Sequence, residues 1–240
     1  MRALEVLSAL QSLRCIDLSH PLHPAIPYWP GAGYGPFRYE AINVFERDSK
    51  AAGVFEMPEH MGTHIDAPNH FVASPMSVDL LSIESLLRPA VVFDIADQAA
   101  VNAGALLEVL DIAIWEAHNG QVPPGSVALV RSGWAARWSD PSAFQNQMRF
   151  PAISARAARV LVHERGVVGI GVDTLSADNG LADNSPCHRL VHGHGAYILE
   201  NLAHLELLPE HGAFVLIAPL PIQGGTGAPA RVLAFRDGET

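Results

Sequence analysis

Short apolar runs rich in β-branched residues recur along the chain at 14–18, 90–95, 126–131, 167–172, 213–218 and 230–235. Runs of this length between Gly, Pro or polar clusters predict strands, and those without polar alternation predict strands buried on both faces. Apolar residues at helical spacing predict helices over 3–11, 80–86, 103–110 and 154–165. The last is the best delimited: Ser154 stands at the N-cap, Ala157, Val160 and Leu161 repeat on one face, and Gly166 stops it. Strands outnumber helices and do not alternate with them regularly. The pattern predicts an α/β or α+β domain built on a mixed, strand-rich sheet rather than a doubly wound one. Pro and Gly concentrate at 21–35, 122–125 and 219–230, the expected loops, and loops on a rigid scaffold carry sites. With no repeat or low-complexity linker, residues 1–240 read as a single domain.

Composition narrows the function. The 240 residues suffice for a sizeable core, and 49% apolar against 17% charged residues is ordinary for a compact enzyme. A formal charge of −10 argues against a nucleic acid or an anionic membrane as partner. No apolar run reaches the roughly 20 residues of a membrane span. The first residues read as a short amphipathic helix entering a strand rather than as a signal peptide, so a cytoplasmic protein is expected. Cys15 and Cys187 are then free thiols. Histidine is the oddity: there are twelve, several of them close together.

The densest segment is His60-Met-Gly-Thr-His64-Ile-Asp66-Ala-Pro-Asn-His70-Phe71. All its polar candidates fall on even positions, which share one face of an extended chain, so His60, His64 and Asp66 are expected to converge. Gly62, on the same face, is expected to leave room for an ion. Pro68 ends the strand and lets His70 swing over the site from a turn. Two imidazoles and a carboxylate suit Zn²⁺, Mn²⁺ or Fe²⁺, and three protein ligands leave positions open, the catalytic pattern. A second cluster places His188, His192, His194 and Glu200 on one parity. Spacing does not choose among the three histidines. Glu200 ends the apolar run 196–199, where a carboxylate is costly unless paired or metal-bound. A binding protein with a histidine-rich face and no chemistry is the non-enzymatic alternative.

The segment from His60 to Phe71 resembles the signature of the cyclase family of metal-dependent hydrolases, which includes isatin hydrolases and bacterial kynurenine formamidases. Asp17-Leu-Ser-His-Pro-Leu, Pro27-Tyr-Trp29-Pro-Gly, Arg131-Ser-Gly-Trp134, Gly171-Val-Asp173-Thr-Leu-Ser176, Glu200-Asn-Leu and Pro219-Leu-Pro-Ile are similar as well. The resemblance implies a swivelling β/β/α fold and a homodimer or tetramer. It implies that His60, His64 and Asp66 hold one metal and that Asp66, His188 and Glu200 hold a second, the ions being Mn²⁺ or Zn²⁺. It makes His70 the general acid and base that moves protons to and from a metal-activated water. Trp29 becomes a pocket wall, with Phe71 as a second one and Thr226 of the glycine-rich loop Gly224-Gly-Thr226-Gly as a hydrogen-bond donor to substrate. The implied reaction is hydrolysis of an amide or lactam bond in a small aromatic substrate. The glycine-rich loop and the Gly-Thr at 62–63 are more like the isatin branch, and arylformamidase activity is the alternative.

Overall fold

The structure, a computed structural model, describes residues 3–31, 33–74 and 76–238. Its centre is an eight-stranded sheet. In chain order its strands are β1 (Arg14–Asp17), β2 (His64–Asp66), β3 (Leu87–Asp94), β4 (Val127–Arg131), β5 (Gly169–Val172), β6 (Tyr197–Glu200), β7 (Ala213–Pro219) and β8 (Gly227–Arg236). Strands β3, β4, β5 and β6 run parallel, as expected of apolar runs without alternation, and β4 and β5 are buried almost throughout. Antiparallel β7, β8 and β1 extend the sheet beyond β3. At the other end the three-residue β2 pairs antiparallel with β6 and also with the start of β8. That double pairing closes the sheet on itself, so β2 has no free edge.

Helix α1 (Ala3–Ser12) leads into β1, its described side chains exposed, and three helices support the sheet and the site: α2 (Val109–Asn119), α3 (Ala155–Arg159) and α4 (Pro186–Gly193). Ile112 and Trp115 of α2, Ala157 and Ala158 of α3, and Cys187 and Val191 of α4 pack on one face of the sheet against Phe93, Val130, Ile170 and Ile198. The enclosed side is filled by Ile65, Val92, Leu129, Leu199, Val215 and Val232. A third cluster, around Trp134, Trp138, Phe144 and Phe150, lies under the loop that carries Tyr28 and Trp29.

The mixed, strand-rich sheet and all six expected strands are present, shifted by a few residues at most. The helices depart more. Ser154 caps as expected, its hydroxyl accepting from the Ala157 N–H at 3.1 Å, but the helix widens into a π turn over Val160–Glu164. The helix expected at 103–110 starts only at Val109 and continues to Asn119. A capping box fixes that start, with Asp111 accepting from the Glu108 N–H at 2.7 Å. The helix expected at 80–86 is instead two 3₁₀ turns, Val78–Leu80 and Ile83–Leu86. Helix α4 was not expected at all. Residues Arg38–Asn43 and Ala52–Glu56 form a separate antiparallel ribbon with Tyr39, Phe45 and Phe55 exposed around it. Among the described residues, no helix is long and apolar enough to cross a membrane.

Candidate metal centre

Strand β2 is short, but its register places the chemistry. His64 lies opposite Glu200 on β6, and Asp66 lies opposite Ile198 there and Gly227 on β8. His64 and Asp66, two residues apart, face the same way. His64 Nε2 is accordingly 3.2 Å from Asp66 Oδ1 and 3.5 Å from Glu200 Oε2. His60 joins them by another route than an extended strand. Residues 59–63 bend, with Gly62 at φ +65°, and a Cβ on Gly62 would stand 2.5 Å from Leu22 Cδ2. Gly62 therefore serves a left-handed turn and a close contact, not room for an ion. The bend returns His60 so that its Nδ1 lies 2.6 Å from Asp66 Oδ1. After Pro68 a 3₁₀ turn brings the His70 ring over His60, centroids 3.7 Å apart.

The second cluster is helical rather than extended, so parity does not sort its histidines. His188 on α4 reaches the centre, its Nε2 3.0 Å from Glu200 Oε1 and 3.3 Å from Asp66 Oδ2. His192, one turn on, is buried with its ring 5.6 Å from that of His188, and neither of its nitrogens has a hydrogen-bond partner. His194 lies past the helix, exposed, with its ring 4.3 Å from that of His163. Sequence reasoning missed Asp178. Its Oδ2 accepts from His188 Nδ1 at 2.7 Å and from the His188 N–H at 3.0 Å, while Oδ1 accepts from the Cys187 N–H at 2.8 Å. One carboxylate thus caps α4 and aims His188. Asp178 stands eight positions before Pro186, too far ahead to read as an N-cap, so no local signal in the sequence could have found it.

The hydrogen bonds test whether a cation belongs here. His64 Nδ1 donates to the Gly62 carbonyl at 2.8 Å, and His188 Nδ1 donates to Asp178. In the neutral imidazoles both Nε2 atoms then present lone pairs to the oxygens of Asp66 and Glu200. Lone pairs facing carboxylates repel, and His64 Nε2 is a buried nitrogen with no hydrogen-bond partner. A cation among them turns the same contacts into ligation, with the outer N–H bonds fixing each ring. Charge points the same way. Asp66, Asp178 and Glu200 are no more than 5% exposed, and no Lys or Arg stands among the described residues lining the adjoining cavity. Burial lowers the His64 pKa, yet Asp66 and Glu200 outweigh it and lift it to about 9. Burial likewise works against charge on His188 and Asp66; Asp178, with Asp66 and Glu200, overrides it and raises the first, and His60 and His64, with His188, override it and lower the second. The cluster draws positive charge. One ligand atom from each of His64, Asp66 and Glu200, or of His60, Asp66 and His70, falls within 4.8 Å of the others. Imidazole nitrogen with carboxylate oxygen suits Mn²⁺ or Zn²⁺.

A cavity opens from this centre. Trp29 and Phe71 line it, along with Tyr28, Tyr34 and Leu175. Burial lowers the His70 pKa to about 4, further than the near-neutral value a proton carrier suggests, so its ring is neutral at pH 7. Thr226 is not in the cavity wall. It lies behind His60, its Oγ1 2.8 Å from His60 Nε2.

Residues 16–179 match the family model described as "Putative cyclase". The chain is 31% identical over 237 residues to an isatin hydrolase of Roseibium aggregatum, covering 92% of this chain and 90% of that one. It is 31% identical over 218 residues to a kynurenine formamidase of Geobacillus thermodenitrificans, covering 90% and 94%. Among solved structures, isatin hydrolase A from Ralstonia solanacearum superimposes with a TM-score of 0.92 at 36% identity, covering 98% of each chain.

Proposed function

The chain belongs to the cyclase family, a family of metal-dependent hydrolases of amide C–N bonds, and from that premise we propose that it opens the lactam ring of a neutral, flat aromatic substrate of the isatin type. The observation that carries the choice is the cavity wall. It offers aromatic faces in Trp29, Tyr28, Tyr34 and Phe71, and no Lys or Arg. N-formylkynurenine bears an α-carboxylate that asks for such a cation; an isatin-like dione does not. Arg189, which touches the lining residue Phe71, has its guanidinium engaged, donating to the carbonyls of Asn184 at 2.8 Å and Phe71 at 3.3 Å.

The residues fit a divalent cation, Mn²⁺ or Zn²⁺, held by His60, His64 and Asp66 and, for a second ion, by Asp66, His188 and Glu200. Such an ion supplies polarisation of the substrate carbonyl and a water more acidic than bulk water. The chain does the rest. Trp29 and Phe71 hold the ring flat by their faces and exclude water from it. His70, neutral at pH 7 and stacked over His60, takes one proton from the attacking water. Its imidazolium, the stronger acid for being buried, returns that proton to the lactam nitrogen as the C–N bond breaks, leaving an arylamine and a carboxylic acid that ionises by releasing the water's second proton to solvent. Asp66, its carboxyl held well below the usual range by the histidines around it, stays ionised throughout. The exposed ribbon with Tyr39, Phe45 and Phe55 offers apolar surface for a second copy of the chain, consistent with a homodimer or tetramer.

The test is hydrolysis of isatin and of N-formylkynurenine side by side, using chelator-stripped protein reloaded with Mn²⁺ or Zn²⁺. Isatin is expected to turn over faster, and only with cation present. A faster formamidase reaction would move the assignment to the other branch, and no turnover of either substrate with any cation would remove it.

A further inference from the structure

The glycine-rich loop at 224–227 and Glu59 have no part in the reaction above, yet both touch His60. The Thr226 N–H donates to Glu59 Oε2 at 3.0 Å, and the Thr226 hydroxyl lies 2.7 Å from the same oxygen. A carboxylate only accepts, so the hydroxyl proton points to Glu59. Thr226 Oγ1 is then an acceptor towards His60 Nε2 at 2.8 Å, which makes Nε2 the protonated nitrogen of that ring. His60 Nδ1 is left with a lone pair directed at Asp66 and the metal centre. Gly227 allows the arrangement, because a Cβ there would stand 2.5 Å from His60 Cε1.

We infer that Glu59 and Thr226 are positioning residues that lock the tautomer and angle of His60, making it a better cation ligand. The inference rests on the cation site proposed above. It assigns the glycine-rich loop to support of the metal centre, not to recognition of substrate. The three inward imidazoles are then each held from behind: His64 by the Gly62 carbonyl, His188 by the Asp178 carboxylate, and His60 by a hydroxyl whose direction a carboxylate sets. Without the hydroxyl, His60 Nε2 loses its acceptor. The proton then moves to Nδ1, where Asp66 accepts it and where it competes with the cation. Outer partners of metal-bound histidines are typically worth about 10–100-fold in metal affinity.

The experiment uses the full chain, stripped with a chelator and titrated with Mn²⁺ alone against that chelator. Thr226→Val keeps the shape and removes the hydroxyl, and it is expected to weaken Mn²⁺ binding by about 10–100-fold. Thr226→Ser restores the hydroxyl and most of the affinity. Glu59→Gln keeps the hydroxyl but not the charge that orients it, and falls between the two. The visible absorption of the Co²⁺-loaded protein is expected to change in Thr226→Val and to return in Thr226→Ser, a readout that a merely structural role would not move. The inference is overturned if Thr226→Val binds Mn²⁺ as tightly as the wild type, if serine fails to restore binding, or if the cation-free variant loses stability in proportion. A wild-type chain that retains no cation would instead overturn the cation reading itself, and this inference with it.

Discussion

At His70, binding and turnover are expected to separate. His70→Ala should keep its cation and lose about 10²–10⁴-fold in kcat, the usual worth of a general acid and base. Equal loss of cation and turnover would make His70 a ligand, which its place beside His60 and Asp66 also permits. Gly62 carries a different load. With φ at +65° and Leu22 against its missing Cβ, Gly62→Ala should cost about 1 kcal/mol or more in unfolding free energy. It should also weaken cation binding, because the Gly62 carbonyl fixes His64. His64 holds its proton tightly beside Asp66 and Glu200, and His188 beside Asp178, Asp66 and Glu200. Cation uptake must displace them, so Mn²⁺ added to the stripped protein in weak buffer at pH 7 should acidify the solution. A silent pH trace would argue that the cation binds elsewhere.

Among the elements, the loops after β4 and β5 are tied by one buried acid. Asp173 accepts from the Ser132 N–H and the Trp134 N–H at 3.1 Å and from the Ser132 hydroxyl at 2.5 Å. Burial nevertheless raises its pKa to about 6, from 3.8. Between these values the folded chain binds the proton and the unfolded chain does not, so this contribution to stability is full below about pH 4 and falls as pH rises through 6. Compared at each pH with Asp173→Asn, the wild type should lose relative stability from about pH 4 to 6, by at most about 3 kcal/mol. Other groups cancel in the difference, and a flat difference would show the hydrogen bonds holding Asp173 ionised. At this scale strands were easier to read than helices. β4 and β5 are apolar runs bounded by loops, and their burial follows from that alone. α4 was hidden because its histidines and Arg189 interrupt a short apolar face, leaving no repeat long enough to recognise.

For the whole molecule, the closed sheet makes the metal centre part of the fold. β2 carries His64 and Asp66 and also seals β6 to β8, so whatever binds there stabilises the closure. Mn²⁺ at about 100 times its Kd should add about 2.7 kcal/mol and raise Tm by about 5–10 °C over chelator-treated protein. A Tm indifferent to cation would mean that the site forms only weakly or after unfolding has begun.

The amino-acid sequence alone determined the strand-rich mixed sheet, the capped start at Ser154, and the candidates His60, His64, Asp66, His70 and Glu200, because residue type and local periodicity are written along the chain; His188 was singled out from its neighbours by the family resemblance. Only the tertiary structure decided how those candidates meet. The bend at Gly62, the helix that selects His188 over His194, the hold of Asp178 on His188, and the place of Thr226 behind His60 all depend on which strands pair. That pairing brings together groups such as Glu59 and Thr226, 167 positions apart, and no local pattern in the chain records it.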